Sequence, residues 1–308
     1  MMASATTVPL GPSATSPRLS AFTLVLPTLA PAQEYTLTTH ATLRLGSLVS
    51  ETATRLRVRK SLRQPTPTGG GIFDLTTLAR VQTPAEGAER LTAELTPLLE
   101  ALVLETDATG YLVRVRNLAD LRQRWAGLLP GLRQKYRGDS DISPDLLAQL
   151  GEVLDEEETL VAVLRDSPEY SLLFPSLYGQ PYSATVPVPG TASLARFVGE
   201  IDLPLRTETL LEAAPLAGGA SLKVAGAVDA SYRADEVRQA LCRLTDQPNL
   251  DTRVAALHTA DYVFGPSNTL LAARRHTRAD IPGIMSRQLT VLLQIEEAPT
   301  SRPTINQL

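Results

Sequence analysis

Residues 34–60, "EYTLTTHATLRLGSLVSETATRLRVRK", alternate apolar with polar side chains on both sides of a Gly-Ser pair. Only an extended strand puts every second residue on one face, so a period of two predicts β-structure. Gly46-Ser47 suits a two-residue primed turn, because glycine takes positive φ without strain. With that turn, Leu45 faces Leu48, Leu43 faces Ser50, Ala41 faces Thr52, Thr39 faces Thr54, Leu37 faces Leu56 and Tyr35 faces Val58. Every large apolar residue of the pair except Val49 falls on that side. A slip of one residue would turn Leu37, Leu43, Leu56 and Val58 toward water, so the register is well specified. One oily face and one wet face predict an antiparallel sheet.

The question is what the oily face is for. The 308 residues suffice for one large domain or two ordinary ones, and 43% hydrophobic with 20% charged residues is globular composition. A formal net charge of −4 gives no electrostatic reason to bind nucleic acid. Aromatic content of 5% argues against a stacking platform for sugars or nucleotides. The single cysteine, Cys242, excludes an internal disulfide framework and any multi-cysteine metal site. No run approaches the roughly 18 to 20 apolar residues of a membrane span.

Residues 1–33 read as a flexible leader or signal segment, followed by a single domain over 34–308. The first 17 residues carry no charge and are rich in Ser, Thr, Pro and Ala. Arg18, the apolar stretch 19–29 and Ala30-Pro31-Ala32 imitate a secretory signal with its small-residue cleavage site. A signal at 18–32 implies a periplasmic or secreted protein, and its absence a cytoplasmic one. The competing reading is an N-terminal strand in which Phe22, Leu24 and Leu26 alternate.

Residues 72–82 read as a third strand. Thr83-Pro84-Ala85-Glu86 has the form of a helix start, opening a mainly helical segment at about 84–178. Within it, 102–117 reads as a second hairpin, with Tyr111, Val113 and Val115 on one face. Asn117 caps a helix that Pro130-Gly131 should kink or break. Ser143-Pro144-Asp145 starts another helix, carrying Leu146, Leu147, Leu150, Leu154, Val161 and Leu164. Strands return from 181, interrupted by a helix at 234–245, and the chain ends in a meander over 252–264, 268–278 and 286–296. Strands, then helices, then strands make an α+β fold. The first strands should pair with the last. A sheet of eight to ten strands should then curve into a half-open barrel, with the central helices covering its concave or one face.

No nucleophile motif is present. His40 falls on the wet face of the first hairpin, whereas His258 and His276 lie on neighbouring strands with Asp261 close by. A zinc-dependent enzyme built on those three is the least favoured function, and strand histidines are the plainer reading. "DEEE" at 155–158 is a solvated helix face, and Trp125, at helical spacing with leucines, is a core residue. Arg55, Arg57 and Arg59 form a basic row that blunts sheet pairing.

Three uses of the oily face stay open: an ordinary core, a cavity for an apolar ligand, or a surface for a protein partner. The small inward residues Thr39, Ala41, Ser50, Thr52, Thr54, Gly226 and Ala230 leave room that a solid core would fill, which favours a cavity. The layout, with "LETDATGYLVRVRNLADL" at 104–121 as a hairpin-then-helix element, resembles half-barrel lipoprotein carriers of the LolA/LolB type and β-rich bacterial proteins similar to them. That resemblance implies an amphipathic antiparallel sheet capped by helices, and brings no functional residue with it. The resulting expectation is a non-enzymatic binding protein without a cofactor, holding a lipid-like ligand between sheet and helices. The lining would be Leu37, Leu56, Val58, Leu222, Val224 and Leu293. The alternative is a structural or assembly component with a partner patch in the aromatic-rich segment 170–188, around Phe174, Tyr178 and Tyr182.

Overall fold

The structure is a computed structural model and describes residues 21–29, 31–84, 88–139, 142–213, 219–245 and 252–296. The first part of the chain forms β1 (Phe22–Thr23), β2 (Gln33–Leu45), β3 (Leu48–Pro65) and β4 (Gly71–Thr83). Then come α1 (Ala88–Glu94), β5 (Ala101–Thr106), β6 (Leu112–Val115), α2 (Leu118–Lys135), α3 (Pro144–Asp155), α4 (Glu157–Asp166) and α5 (Pro168–Leu173). The last part carries β7 (Pro181–Tyr182), β8 (Val188–Val198), β9 (Ile201–Ala213), β10 (Ala220–Val228) and α6 (Ala234–Thr245). It closes with β11 (Ala255–Phe264), β12 (Leu270–Ile281) and β13 (Met285–Ile295).

Eleven strands make one antiparallel sheet in the order β6-β5-β4-β3-β2-β13-β12-β11-β10-β9-β8, and β1 pairs with β7 beside it. The early strand β2 and the late strand β13 pair at its centre, where Leu37 lies opposite Leu293. The sheet is open, with β6 and β8 as its edges. The first hairpin has the register that alternation dictates, from Leu45 opposite Leu48 to Glu34 opposite Arg59, with Gly46 at φ 58° in the turn. That positive φ is why a glycine stands there.

The helices and the inner face of the sheet share a large apolar core that includes Leu37, Leu56, Leu293, Trp125, Leu160 and Leu172. A second cluster joins Leu194, Phe197, Leu203 and Leu205 of the β8–β9 hairpin to Val237 and Leu241 of α6 and to Ile281 and Met285. Leu43 and Leu45 of β2 pack on the same cluster, although four strands separate β2 from β9. The sheet must bend for them to meet. The outer face stays wet and carries ion pairs such as Arg59 to Glu34 at 2.6 Å and Arg57 to Glu296 at 2.7 Å.

Several local expectations change. The helix start at 83–86 falls largely outside the described residues. Asn117 makes no side-chain cap; its amide accepts from Val103 N at 2.9 Å and donates to Ala101 O at 3.0 Å, pinning β5 to the start of α2. α2 runs through Pro130 without ending, held down by Leu121, Trp125 and Leu132. The helix begun at Ser143, whose Oγ accepts from Leu146 N, breaks at Glu156 into α3 and α4. In the second hairpin a bulge at Glu105/Thr106 makes Leu112 and Val115 the buried pair and exposes Tyr111 and Val113. Residues 22–26 belong to the packed body, because Leu24 is fully buried in the main core and its carbonyl accepts from Gly179 N.

Candidate functional site

The inner face can be followed as rows of cross-strand neighbours. The row Leu56, Leu37, Leu293, Ala273, Tyr262, Leu222, Leu211 is apolar almost throughout. The next row is Thr54, Thr39, Val291, Arg275, Ala260, Val224, Thr209. The third is Thr52, Ala41, Leu289, Thr277, His258, Gly226, Thr207. A belt of small and polar residues thus crosses the sheet between its two apolar clusters. The small residues expected to face inward stand in this belt, except Ser50 in the row beyond it and Ala230, which lies past the end of β10.

Helix α5 closes part of the belt. Glu169, 7% exposed, accepts from Thr39 Oγ1 at 2.8 Å and from Ser167 Oγ at 2.8 Å. Arg275 donates to Ser171 Oγ at 3.0 Å and to the Pro168 carbonyl at 2.8 Å. Burial lowers the pKa of Arg275, while the charge of Glu169 acts the other way. His258 shares a 2.9 Å hydrogen bond with Thr277 Oγ1. Burial, helped by the Arg275 and His276 charges, pushes the His258 imidazole down to about 4. Lys60, from the row above, donates to the Leu173 carbonyl at 2.6 Å, with the Phe174 ring at 4.0 Å and the Phe73 ring at 4.8 Å. Burial pulls its ammonium down to about 7; the carbonyl and the two ring faces favour the charged form.

The cover stops along β3. Val58, Leu56 and Thr54 are buried, Thr52 is half-buried, and Ser50 and Leu48 on the same face are exposed, Leu48 at 62%. Beside them, Ala41, Leu43 and Leu45 of β2 and Leu289 of β13 are half-buried. At this uncovered edge, β4 does something its sequence does not announce. Strict alternation from Phe73 and Leu75 would carry Thr77, Ala79 and Val81 inward. A bulge sets Val58 opposite Thr77 but Arg57 opposite Ala79, which leaves Leu78 as the extra residue. The phase inverts: Arg80 stands beside Leu56 and Gln82 beside Thr54 on the inner face, while Val81 is turned out at 62% exposure. Arg80 Nε and Gln82 Oε1 are sealed from water and have no hydrogen-bond partner among the described residues.

The six residues expected to line a ligand are indeed brought together, but inside the main core, each under 8% exposed. Two clefts lie elsewhere. One, of about 540 Å³, is bordered by Pro97, Glu100, Ala101, Arg124, Gly127 and Leu128; the other, of about 490 Å³, runs along Arg238, Gln239, Cys242 and Arg243. The expected partner patch is not a surface. Phe174, Tyr178 and Tyr182 are 6%, 5% and 1% exposed. Phe174 meets Phe73 edge-on at 5.6 Å, Tyr178 meets Phe264 at 5.8 Å, and the Tyr182 hydroxyl donates to Leu177 O at 2.8 Å. Their apolar bulk makes them core, and the hydroxyls of the two tyrosines donate to carbonyls there, Tyr178 to that of Asn268 and Tyr182 to that of Leu177. His258 and His276 are consecutive in phase and point to opposite faces of the sheet, as their partners Thr277 and Thr290 show, so they cannot converge on one ion.

Sequence reading missed Glu169, Arg275, Arg287, Arg80 and Gln82. For Arg287 a signal existed, because it shares the apolar phase of Leu289, Val291 and Leu293. It is half-buried, and burial lowers its pKa; the charges of Arg196 and Asp202 on the β8–β9 hairpin act on it. For Arg80 and Gln82 there was none, since the bulge is set by the partner strand. No protein-family model matches the chain, and no curated protein matches it in sequence.

Proposed function

We propose that this is a non-enzymatic binding protein that holds an apolar, lipid-like ligand on the inner face of a half-open barrel. The site is the uncovered stretch below Thr54, rather than the packed region around Leu37 and Leu293. The observation that supports the reading is the change of environment along one strand face. The inner side of β3 passes from buried Val58 to 62% exposed Leu48 without changing direction. Leu43, Leu45 and Leu289 continue that face on neighbouring strands. An apolar strip beside a mouth open to water suits an acyl chain better than a solvated headgroup alone. The test is uptake of the neutral probe 1-N-phenylnaphthylamine by delipidated protein. Saturable uptake that Leu43→Asp abolishes is the expected result, and absence of uptake would overturn the reading.

An assembly role rests on a different feature. β8 is an edge strand with Pro189, Gly190, Thr191 and Ser193 exposed, so its outer backbone groups are free to pair. A protein that stays monomeric at high concentration and captures no partner would remove this second reading.

A further inference from the structure

We propose that Arg80, Gln82 and Tyr170 form a head-group site for a carboxylate, so that the ligand of the inner face is an anionic amphiphile; this rests on the binding reading above. Without the bulge Leu78 would pair with Arg57, Ala79 and Val81 would face inward and Arg80 would face water, which is what hydrophobic burial favours. The protein has the reverse arrangement, and bulges that re-aim side chains cluster at functional sites.

No ion pair or hydrogen bond of Arg80 exists among the described residues, and its Nε is out of reach of water. Gln82 Oε1 is in the same position, and the Tyr170 hydroxyl, on a residue 6% exposed, makes no hydrogen bond among the described residues. Arg80 and Gln82 share the inner face of β4, two residues apart. The charge of Arg80 acts on the Tyr170 hydroxyl, Tyr170 follows Glu169 in α5, Glu169 is bonded to Thr39, and Thr39 and Gln82 flank Thr54.

Glu169 is the nearby carboxylate, but its oxygens are held by Thr39 and Ser167 and its charge is opposed by Arg275. Arg80 is then the cation left over, and an arginine cannot relieve the imbalance by losing its proton. A ligand carboxylate would meet the guanidinium fork with two parallel bonds, and the Tyr170 hydroxyl would add a third. Rotated by 180°, the Gln82 amide offers Nε2 as a further donor. Exposed Ser50 and half-buried Thr52 leave the way in, and Leu48 with the half-buried Leu43 and Leu289 offers apolar surface for the chain.

The test uses the full delipidated chain at pH 8 and displacement of 1-N-phenylnaphthylamine by dodecanoate, dodecanol and butanoate. Dodecanoate should displace the probe at about a tenfold or more lower concentration than dodecanol, the expected worth of a charge-assisted pair. Arg80→Met should erase that gap while leaving dodecanol unchanged, Arg80→Lys should keep part of it, and Tyr170→Phe should narrow it less than Arg80→Met does. Near-UV circular dichroism identifies any variant that has lost its packing. Equal displacement by acid and alcohol in the wild type, or a gap that survives Arg80→Met, would overturn the head-group site while leaving apolar binding in place. Butanoate as effective as dodecanoate would overturn the amphiphile and make the ligand a free carboxylate. No uptake of the probe by any variant would overturn the binding reading and this site with it.

Discussion

The β3–β4 ribbon has two halves, and they obey different rules. Above the bulge, Val58 of β3 and Phe73 and Leu75 of β4 point inward, are all buried, and lie in one core with the helices. Below it, buried Leu56 and Thr54 face inward beside Arg80 and Gln82, half-buried Thr52 follows them, and the apolar Val81 is outside. The strands are continuous across the boundary, so backbone geometry does not make the difference. Cover does: the helix layer ends at the level where Glu169 reaches Thr39. One half maximises burial, and the other gives up burial to place polar groups beside an opening.

The largest effect should come from the closed half. Leu293→Ala removes a fully buried side chain from the centre of the sheet and should cost about 2–5 kcal/mol in urea unfolding. A cost under about 1 kcal/mol would mean that the half above the boundary is not the packed one.

The belt between the halves should show itself in pH dependence. His258 is neutral and buried, with its pKa near 4 against an ordinary 6.5. As pH falls below 6.5 the unfolded chain takes up a proton that the folded protein refuses. Stability from this residue is therefore complete above 6.5, declines through the interval, and is lost below about 4, by up to roughly 3 kcal/mol. His258→Asn should flatten that interval in a series of unfolding curves; an unchanged slope would remove His258 from the buried belt.

Glu169→Gln keeps the shape of the clasp between α5 and β2 but removes its charge opposite Arg275. It should cost about 1–3 kcal/mol, read in the same unfolding assay. Arg80→Met on the open side should leave stability within about 1 kcal/mol or raise it, because it replaces a poorly satisfied cation by an apolar chain. A loss of several kcal/mol there would make Arg80 a structural residue. The smallest effect belongs to Val81→Thr, within about 0.5 kcal/mol, since that side chain already faces water.

Much of the architecture was legible in the residues. Alternation over 34–60 with Gly46 at the turn predicts the observed register pair by pair, and the closing meander pairs with the opening strands as expected. Those features rest on local chemistry, namely a turn residue and a period. The site was much less legible. Phe174, Tyr178 and Tyr182 look like a patch because aromatics and prolines crowd there, but sequence does not say which side of a loop meets the core. His258 and His276 look like neighbours because their strands are neighbours, and only the register of β11, β12 and β13 assigns them to opposite faces.

The sequence by itself determined the fold class, the first hairpin and the pairing of early with late strands, because a two-residue period over a dozen residues tolerates one pairing and penalises every slip. Only the tertiary structure decided that Leu78 is the extra residue of a bulge, that Arg80 and Gln82 face inward, and that the helix cover ends beside Thr54. A bulge involves one residue and its position depends on what the facing strand and the overlying helix demand, so no run of sequence around Leu78 carries it.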